Sequence, residues 1–397
     1  MRVILDGITI PNHTTRDHYY IAILTSTMGL IEDIEQRKQE RRQRIKREGP
    51  DREAFLHWRS PRFGTSNPEN LSNPFWCYAI REGGSGWSFK EDFDGPDSFD
   101  AGPCFSFQRY GQAEINLPDG RQVLIGGTHE DFIDPDFYIY NDVVIRDGES
   151  ITIYGYPNDI FPPTDYATAT LVGNEIWIIG CLGYKESRDD RPTQVKVLNT
   201  NNWSIRTVQC QGDDPGTIWG HQAEISSDGS YLLISGGERH CRVLGMEARS
   251  LTNPNIHLLN LATHTWSLID REAECQYWCL TPKNQGILNR SPHRDSPDIP
   301  TGNRLAGTLC KGKEDLCFHL PIGRLDEHIL QITVQNLGRY ATVTIQGPLQ
   351  WLATNQSHVV QELLNDLVIV LENNFGCGPI QARPIQRLER DKTPNTH

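Results

Sequence analysis

The feature that most restricts what this chain can fold into is a four-strand pattern that recurs at a fixed interval. Its first copy fills residues 110 to 156, YGQAEINLPDGRQVLIGGTHEDFIDPDFYIYNDVVIRDGESITIYGY. Alternating apolar residues from Tyr110 to Leu117, a Pro118-Asp119-Gly120 turn and a second apolar run ending at Gly126-Gly127 predict two antiparallel strands. Two more are expected over Phe137 to Asp147 and Ser150 to Tyr156. Both runs are β-branched and aromatic, and Asp147-Gly148 supplies the positive φ of a tight hairpin turn. Residues 166 to 182 repeat the first pair around Gly173-Asn174, and 192 to 208 repeat the second around Asn201-Asn202. A third copy runs from Trp219-Gly220 through Ser235-Gly236-Gly237 to Thr265-Trp266-Ser267. The glycine after the second strand falls at 126, 180 and 236, a spacing of 54 and then 56 residues. Four strands per unit at such a period predict sheets set radially around an axis, a β-propeller.

Two apolar residues before Gly-Gly, Asn141-Asp142-Val143 in the third strand and a Trp opening the fourth (Trp203, Trp266) resemble the kelch repeat. The second copy departs from it, with Gly180-Cys181 where two glycines should stand. The segments HEDFIDPDFYIYNDVVI and FPPTDYATATLVGNEIWIIGCLGY resemble a group of bacterial kelch-domain proteins that have no established activity. The resemblance covers residues 75 to 270. It implies a kelch-type β-propeller in a mainly β chain and leaves function open, because that architecture hosts both binding modules and enzymes.

Three copies cannot close a ring of four to eight sheets, so the ends of the chain matter. Residues 1–74 are expected to form a strand (1 to 10), a helix (16 to 48) and a Pro- and Ser-rich linker. Residues 75–272 are assigned to the propeller. Within them, FWCYAIREGGSGWSF (75 to 89) is expected to give two strands around Gly83-Gly84-Ser85-Gly86. Residues 273–397 are expected to form a small C-terminal α+β region, either a separate appendage or the part that completes the propeller, with strands over Ile329 to Gln335 and Tyr340 to Gln346 and an amphipathic helix from Ser357 to Glu372.

A net charge of −13 opposes nonspecific binding to nucleic acid or anionic membrane, which needs clustered positive surface. The exception is Arg37 to Arg47, with seven basic residues against Glu40; it offers a contact for RNA or an acidic partner, or simply a solvated helical face. No apolar stretch reaches 18 residues and no secretory signal opens the chain, so a cytoplasmic protein that does not enter the membrane is expected. Ten scattered cysteines are then expected as small apolar side chains in a reducing compartment.

In a four-strand antiparallel meander the loops after the second and fourth strands leave on one face. Here those loops are the long ones, 128 to 136, 155 to 165, 183 to 191, 211 to 218 and 238 to 254, and long loops on a rigid scaffold are where binding usually resides. Partner contacts are therefore expected from His129, Glu130, Asp131, Asp134 and Asp136, from Tyr184, Lys185, Arg188, Asp190 and Arg191, and from Glu238, Arg239 and His240. The first group is also a possible oxygen-rich cation loop, although its spacing is not that of an EF-hand. His221 with Glu224 or Glu238 could serve as an acid/base pair, or His221 could simply be a satisfied core imidazole. A loose set in the last third, Cys275, Cys279, His293, Cys310, Cys317 and His319, lacks the paired spacing of structural zinc. No phosphate-binding glycine loop or G-x-S-x-G elbow is present. The expectation is a non-enzymatic module binding a protein or other macromolecule without a cofactor; the alternative is a carbohydrate-active or metal-dependent enzyme working at the propeller mouth.

Overall fold

The computed structural model describes residues 4–5, 8–9, 36, 43, 45, 47, 49–130, 134–188, 191–243, 248–271, 275–283, 299–300, 302–306, 309, 316–322, 328–335, 341–347, 359–375 and 379–385. The chain is mainly β and divides into two compact units. Met1–Arg62, Ser72–Gln108 and His129–Tyr138 make up the first; Phe63–Leu71, Arg109–Thr128 and Ile139–His397 make up the second.

The first unit is helical. Asp51, Asn73, Ser85 and Asp97 each accept a backbone N–H from the first turn of a short helix, the role that short polar side chains fill at an N-cap. The helices are Arg52–Trp58, Pro74–Glu82, Gly86–Asp92 and Ser98–Ala101. Residues 75 to 89 are thus helical, correcting the two strands expected there. Pro74 after a capping Asn, and Gly83 at φ 63° closing the helix, are helix punctuation. The aromatic residues that suggested strands instead fill a core: Phe55 stacks on Phe93 with centroids 4.8 Å apart, and Trp76 stacks on Phe105 at 4.4 Å. Ile4–Leu5 pairs antiparallel with Ile8–Thr9, so the stretch expected as one strand folds back on itself. The helix expected over 16 to 48 lies outside the described residues, except at Gln36, Gln43, Ile45 and Arg47, which are helical.

The second unit contains the repeated meanders. The first sheet is built from Ala113–Asn116, Gln122–Ile125, Val143–Asp147 and Ser150–Gly155, with Glu69–Asn70 added beyond the fourth strand. The second is Thr168–Val172, Glu175–Ile179, Val195–Asn199 and Ile205–Thr207. The third is Gln222–Ile225, Tyr231–Ser235, Ile256–Asn260 and Thr265–Ile269, with Gln211–Gly212 parallel to its last strand.

Successive sheets stack through their faces. Ile176 and Ile178 pack toward Val123, Ile125 and Val143 of the first sheet, whereas Trp177 and Ile179 pack toward Leu232, Ile234 and Leu259 of the third. A strand whose alternate side chains face two covered surfaces must be apolar throughout, which is why EIWII lacks a polar face. The lead-in to each sheet also bonds to the one before: Tyr166 N–H donates to Gly111 O at 2.7 Å, and Gly220 N–H donates to Tyr166 O at 2.9 Å.

The recurring glycine has a physical cause at the same junctions. Gly126 has φ +58°, and a Cβ there would lie 2.1 Å from Thr164 O; Gly180 has φ +76°, and a Cβ would lie 2.4 Å from Ile218 O. Only glycine combines left-handed backbone with such an approach. The residue after it donates to that same carbonyl, Gly127 to Thr164 O and Cys181 to Ile218 O, both at 2.9 Å, so a cysteine serves there. At Gly236 a Cβ would meet nothing within 4 Å. Among the described residues the repeated meander occurs three times, and they contain no closed ring.

The last third forms a five-stranded antiparallel sheet in the order Leu316–Ile322, His328–Gln335, Ala341–Gln346, Cys275–Pro282, Ile380–Pro384. Helix Val359–Phe375 packs on it through Val360, Leu363, Leu364, Leu367 and Leu371, a single apolar stripe at helical spacing. Both expected strands and the expected helix are present; Ser357 and Gly338 lie outside the described residues.

Candidate functional site

Three of the long loops of the second unit are tied into one continuous surface by side chains. Asp165 accepts the Gly183 amide through Oδ1 at 2.7 Å, joining the 155–165 loop to the 183–191 loop. Asp214 Oδ1 accepts from the Thr193 amide and hydroxyl, both at 2.9 Å, and from the Gly216 amide at 2.8 Å. Arg239 Nε donates to Pro215 O at 2.8 Å. Loops after second and fourth strands therefore do meet on one face, as antiparallel connectivity requires. A cleft of about 330 Å³ opens between the first two of these loops, lined by Phe63, Asn158, Pro162, Pro163, Gly183, Tyr184, Ser187 and Arg191. Its walls are predominantly polar, with Asn158, Ser187 and Arg191 beside the Pro162-Pro163 pair and the Phe63 ring.

The sequence-predicted residues divide between the two units. Tyr184 lines the cleft, and its hydroxyl accepts the Ile139 amide at 2.9 Å. Arg191 lines it as well, and Lys185 is exposed on the Lys185–Ser187 turn beside it. Arg188 Nε donates to Gly183 O at 3.1 Å; like Arg239 it is engaged in holding loop backbone. The 238–254 segment is largely strand. Glu238–Cys241 pairs with Arg249–Thr252 on one side and Ile218–Trp219 on the other, and Cys241 and Leu251 pack with Tyr277 and Ile385 of the C-terminal sheet. Glu238 is buried there, and His240 pairs in register with Ser250. Asp131 and Asp190 lie outside the described residues. Asp214 was expected, with Asp213, as a charged loop tip, and it is instead engaged in holding loop backbone; Asp165, Thr193, Asn158 and the Pro162-Pro163 pair were not singled out from the sequence. Their signal was there: polar or proline residues at the ends of strands facing long loops.

His129, Glu130, Asp134 and Asp136 belong to the first unit. Asp134 Oδ1 accepts the Asp136 amide at 2.8 Å, an Asx turn. Asp136 is fully buried: Lys90 Nζ lies 3.2 Å from Oδ2, the Cys104 amide donates to Oδ1 at 2.6 Å, and His129 Nε2 is 3.9 Å away. Burial alone would push the Asp136 carboxyl up, but the His129 ring, the Cys104 amide and the Lys90 ammonium together outweigh it and hold it at about 2. This constellation ties Asp136 to Lys90 and to the Cys104 backbone, with the Lys90 ion pair as the contact of Oδ2. Among the described residues no group of three or more His, Cys, Asp or Glu side chains is arranged to hold a metal ion.

The Asn141-Asp142 pair also has structural work. Asn141 Nδ2 donates to Tyr156 O and Phe161 O at 2.9 and 2.7 Å, and Asp142 takes a two-pronged ion pair from Arg109 at 2.6 and 2.9 Å. His221 is buried at the head of the third sheet with Nε2 2.9 Å from Thr168 Oγ1, and His257 Nδ1 is 3.0 Å from Asp213 O. Burial first, and then the neighbouring His257, lower His221 to about 4; burial and Arg239 lower His257 to about 4 against the pull of the Asp213 carbonyl. Both rings are neutral near pH 7.

No family model matches the chain, and no curated protein sequence matches it. Among solved structures the chain is similar to one described as "Structure of YjhT", at 12% identity and a TM-score of 0.25, covering 40% of this chain and 50% of that one. The likeness thus spans about half the length of that protein, and at such a score it carries no argument. The fold and site define a mainly β protein of stacked antiparallel sheets with a cleft between two of its loops. No helix among the described residues is long and apolar enough to cross a membrane.

Proposed function

We propose that the stacked meanders are the recognisable part of a kelch-type β-propeller and that the protein is a non-enzymatic recognition module. It binds a protein partner through the loops 155 to 165, 183 to 193 and 211 to 218, with the cleft between the first two as the centre of contact. The observation that carries this reading is the Asp165–Gly183 link, because it holds two long loops on either side of an open, proline-walled cleft. Rigid walls reduce the ordering cost that weakens binding by flexible loops. The succession of three stacked sheets with matching inter-sheet bonds supports the propeller reading. A cytoplasmic setting suits the thiols of Cys77, Cys104, Cys181, Cys210, Cys241, Cys275 and Cys279, none of them in a disulfide.

The enzymatic alternative draws less support. His221, the candidate base, is buried, with Nε2 engaged by Thr168 Oγ1.

The test replaces Asn158, Ser187 and Arg191 by Ala together and measures partner capture from the native host alongside thermal stability. Capture falls at least about tenfold, the loss typical of a contact centre, while the melting temperature holds. Undiminished capture would move the contact centre away from the cleft.

A further inference from the structure

Two histidine rings are shut into the junction between the second and third sheets. His221, just ahead of strand Gln222–Ile225, is 5% exposed, and His257, on strand Ile256–Asn260, is 1% exposed. His221 reaches across the junction: its Nε2 is 2.9 Å from Thr168 Oγ1 on the first strand of the second sheet, and its Cε1 lies 2.6 Å from where a Cβ on Gly180 would stand. His257 is in register with Ile234, which packs toward the second sheet, and its ring meets Trp266 edge to face with centroids 6.4 Å apart. Its Nδ1 is 3.0 Å from Asp213 O; a carbonyl only accepts, so Nδ1 carries the hydrogen. That bond helps to hold the loop 211 to 218, which is also tied to the second sheet where the Cys181 amide donates to Ile218 O at 2.9 Å.

Each ring has one nitrogen engaged and one idle. Among the described residues, His221 Nδ1 and His257 Nε2 are buried without a hydrogen-bond partner. An imidazolium carries N–H on both nitrogens, so charging either ring creates a buried donor with nothing to accept it, a cost that opening to water removes. The ionisable groups facing the rings are each other, Asp213 and Asp214 of the loop, and Arg239 of strand Glu238–Cys241. The residues that the second sheet sets against His221, Thr168 and Gly180, do not ionise. Burial is the first cause that lowers each ring to about 4; His257 adds to it at His221, and Arg239 adds to it at His257 against the pull of Asp213 and Asp214. We propose that this junction is an acid-released latch: proton uptake by His221 and His257 frees the loop 211 to 218 and parts the second and third sheets there, while the first and C-terminal sheets stay folded. The opening is local, distinct from unfolding of the whole chain.

The test is hydrogen exchange of the full chain, read by mass spectrometry at about pH 7 and about pH 5 with rates corrected for the pH dependence of the exchange chemistry. At about pH 5 most carboxylates are still ionised, whereas a freed imidazole is charged. The loop 211 to 218 and strands Thr168–Val172 and Gln222–Ile225 lose protection at least about tenfold between the two conditions, and strands Val143–Asp147 and Ala341–Gln346 keep theirs. His221→Gln with His257→Asn abolishes the difference. Each single substitution reduces it severalfold, which keeps the test decisive if the double variant does not fold. Equal protection of the junction at both pH values in the wild type overturns the proposal. So does a loss shared equally by the first and C-terminal sheets, or one that the substitutions leave unchanged.

Discussion

The backbone amide of Gly183 donates to the buried carboxylate of Asp165 at 2.7 Å, fastening the loop after the second strand of the second sheet to the segment that leads into that sheet. Burial pushes the Asp165 carboxyl above its usual range, against the Gly183 amide and Arg188, which pull it down. Asp165→Ala should cost about 1–3 kcal/mol by leaving the amide unpaired in a buried place. Asp165→Asn keeps an acceptor and should cost less. The sign of the pH effect follows from a raised folded pKa: the native state holds its proton longer, so wild-type stability is lost as pH rises from the ordinary carboxylate value through the raised one. Urea unfolding from pH 4 to pH 8 should therefore show the Asn variant gaining on wild type as pH rises.

His221 and His257 give the opposite slope. Both are lowered to about 4, burial being the first cause for each, so the native state refuses protons that the unfolded chain accepts near pH 6.5. Stability should be fully present above about pH 6.5 and fall toward pH 4, by up to about 1.4 kcal/mol per pH unit for each ring. Replacing His257 by Asn should reduce the slope in chemical denaturation by about half.

Asp136 and Lys90 are buried opposite charges 3.2 Å apart. Asp136→Ala leaves the ammonium unpaired in the interior, which typically costs about 3–5 kcal/mol. Differential scanning calorimetry should show the helical unit as the part destabilised. Because the carboxyl is lowered from 3.8 to about 2, its contribution is present above the ordinary carboxylate value and is lost as pH falls from there toward 2, just below the histidine window.

Gly180 and Gly236 occupy matching places in successive repeats and should respond differently to Ala. Both have positive φ, a strain of about 1–2 kcal/mol for a residue with a Cβ. Only Gly180 has a neighbouring carbonyl, Ile218 O, 2.4 Å from the new atom. Gly180→Ala should therefore cost more than Gly236→Ala in equilibrium unfolding. Equal costs would mean that the second and third sheets are not stacked through this junction.

The β repeats were legible because each strand carries its own alternation and each turn its own glycine or asparagine; the register of the three meanders follows from them. The helical unit was misread because Phe75, Trp76, Tyr78 and Phe89 are residues that also favour strands, and the Gly83-Gly84 pair looks like a turn between two of them. Asn73-Pro74 was the better signal, since local capping decides a short helix where composition does not. That the loops 155 to 165 and 183 to 191 meet was legible from antiparallel connectivity; that 128 to 136 falls in the helical unit and that 238 to 254 is largely strand was not. Nor were the roles of Arg188 and Arg239, because a guanidinium bonded to a loop carbonyl and one awaiting a partner look the same in a sequence. The short strand Glu69–Asn70 and Asn67, whose amide exchanges two hydrogen bonds with Ile205 at 2.7 and 2.8 Å, were hidden in what reads as linker because their partners lie far along the chain.

The most direct test of recognition through the loop cleft is site-specific photo-crosslinking in the native host. A photoreactive residue at position 158 samples the cleft, and one at position 201 samples the short turn between the last two strands of the second sheet, at the opposite end of those strands. A discrete crosslinked protein from position 158 and none from position 201 is the predicted result; crosslinking from 201 with none from 158 would contradict it.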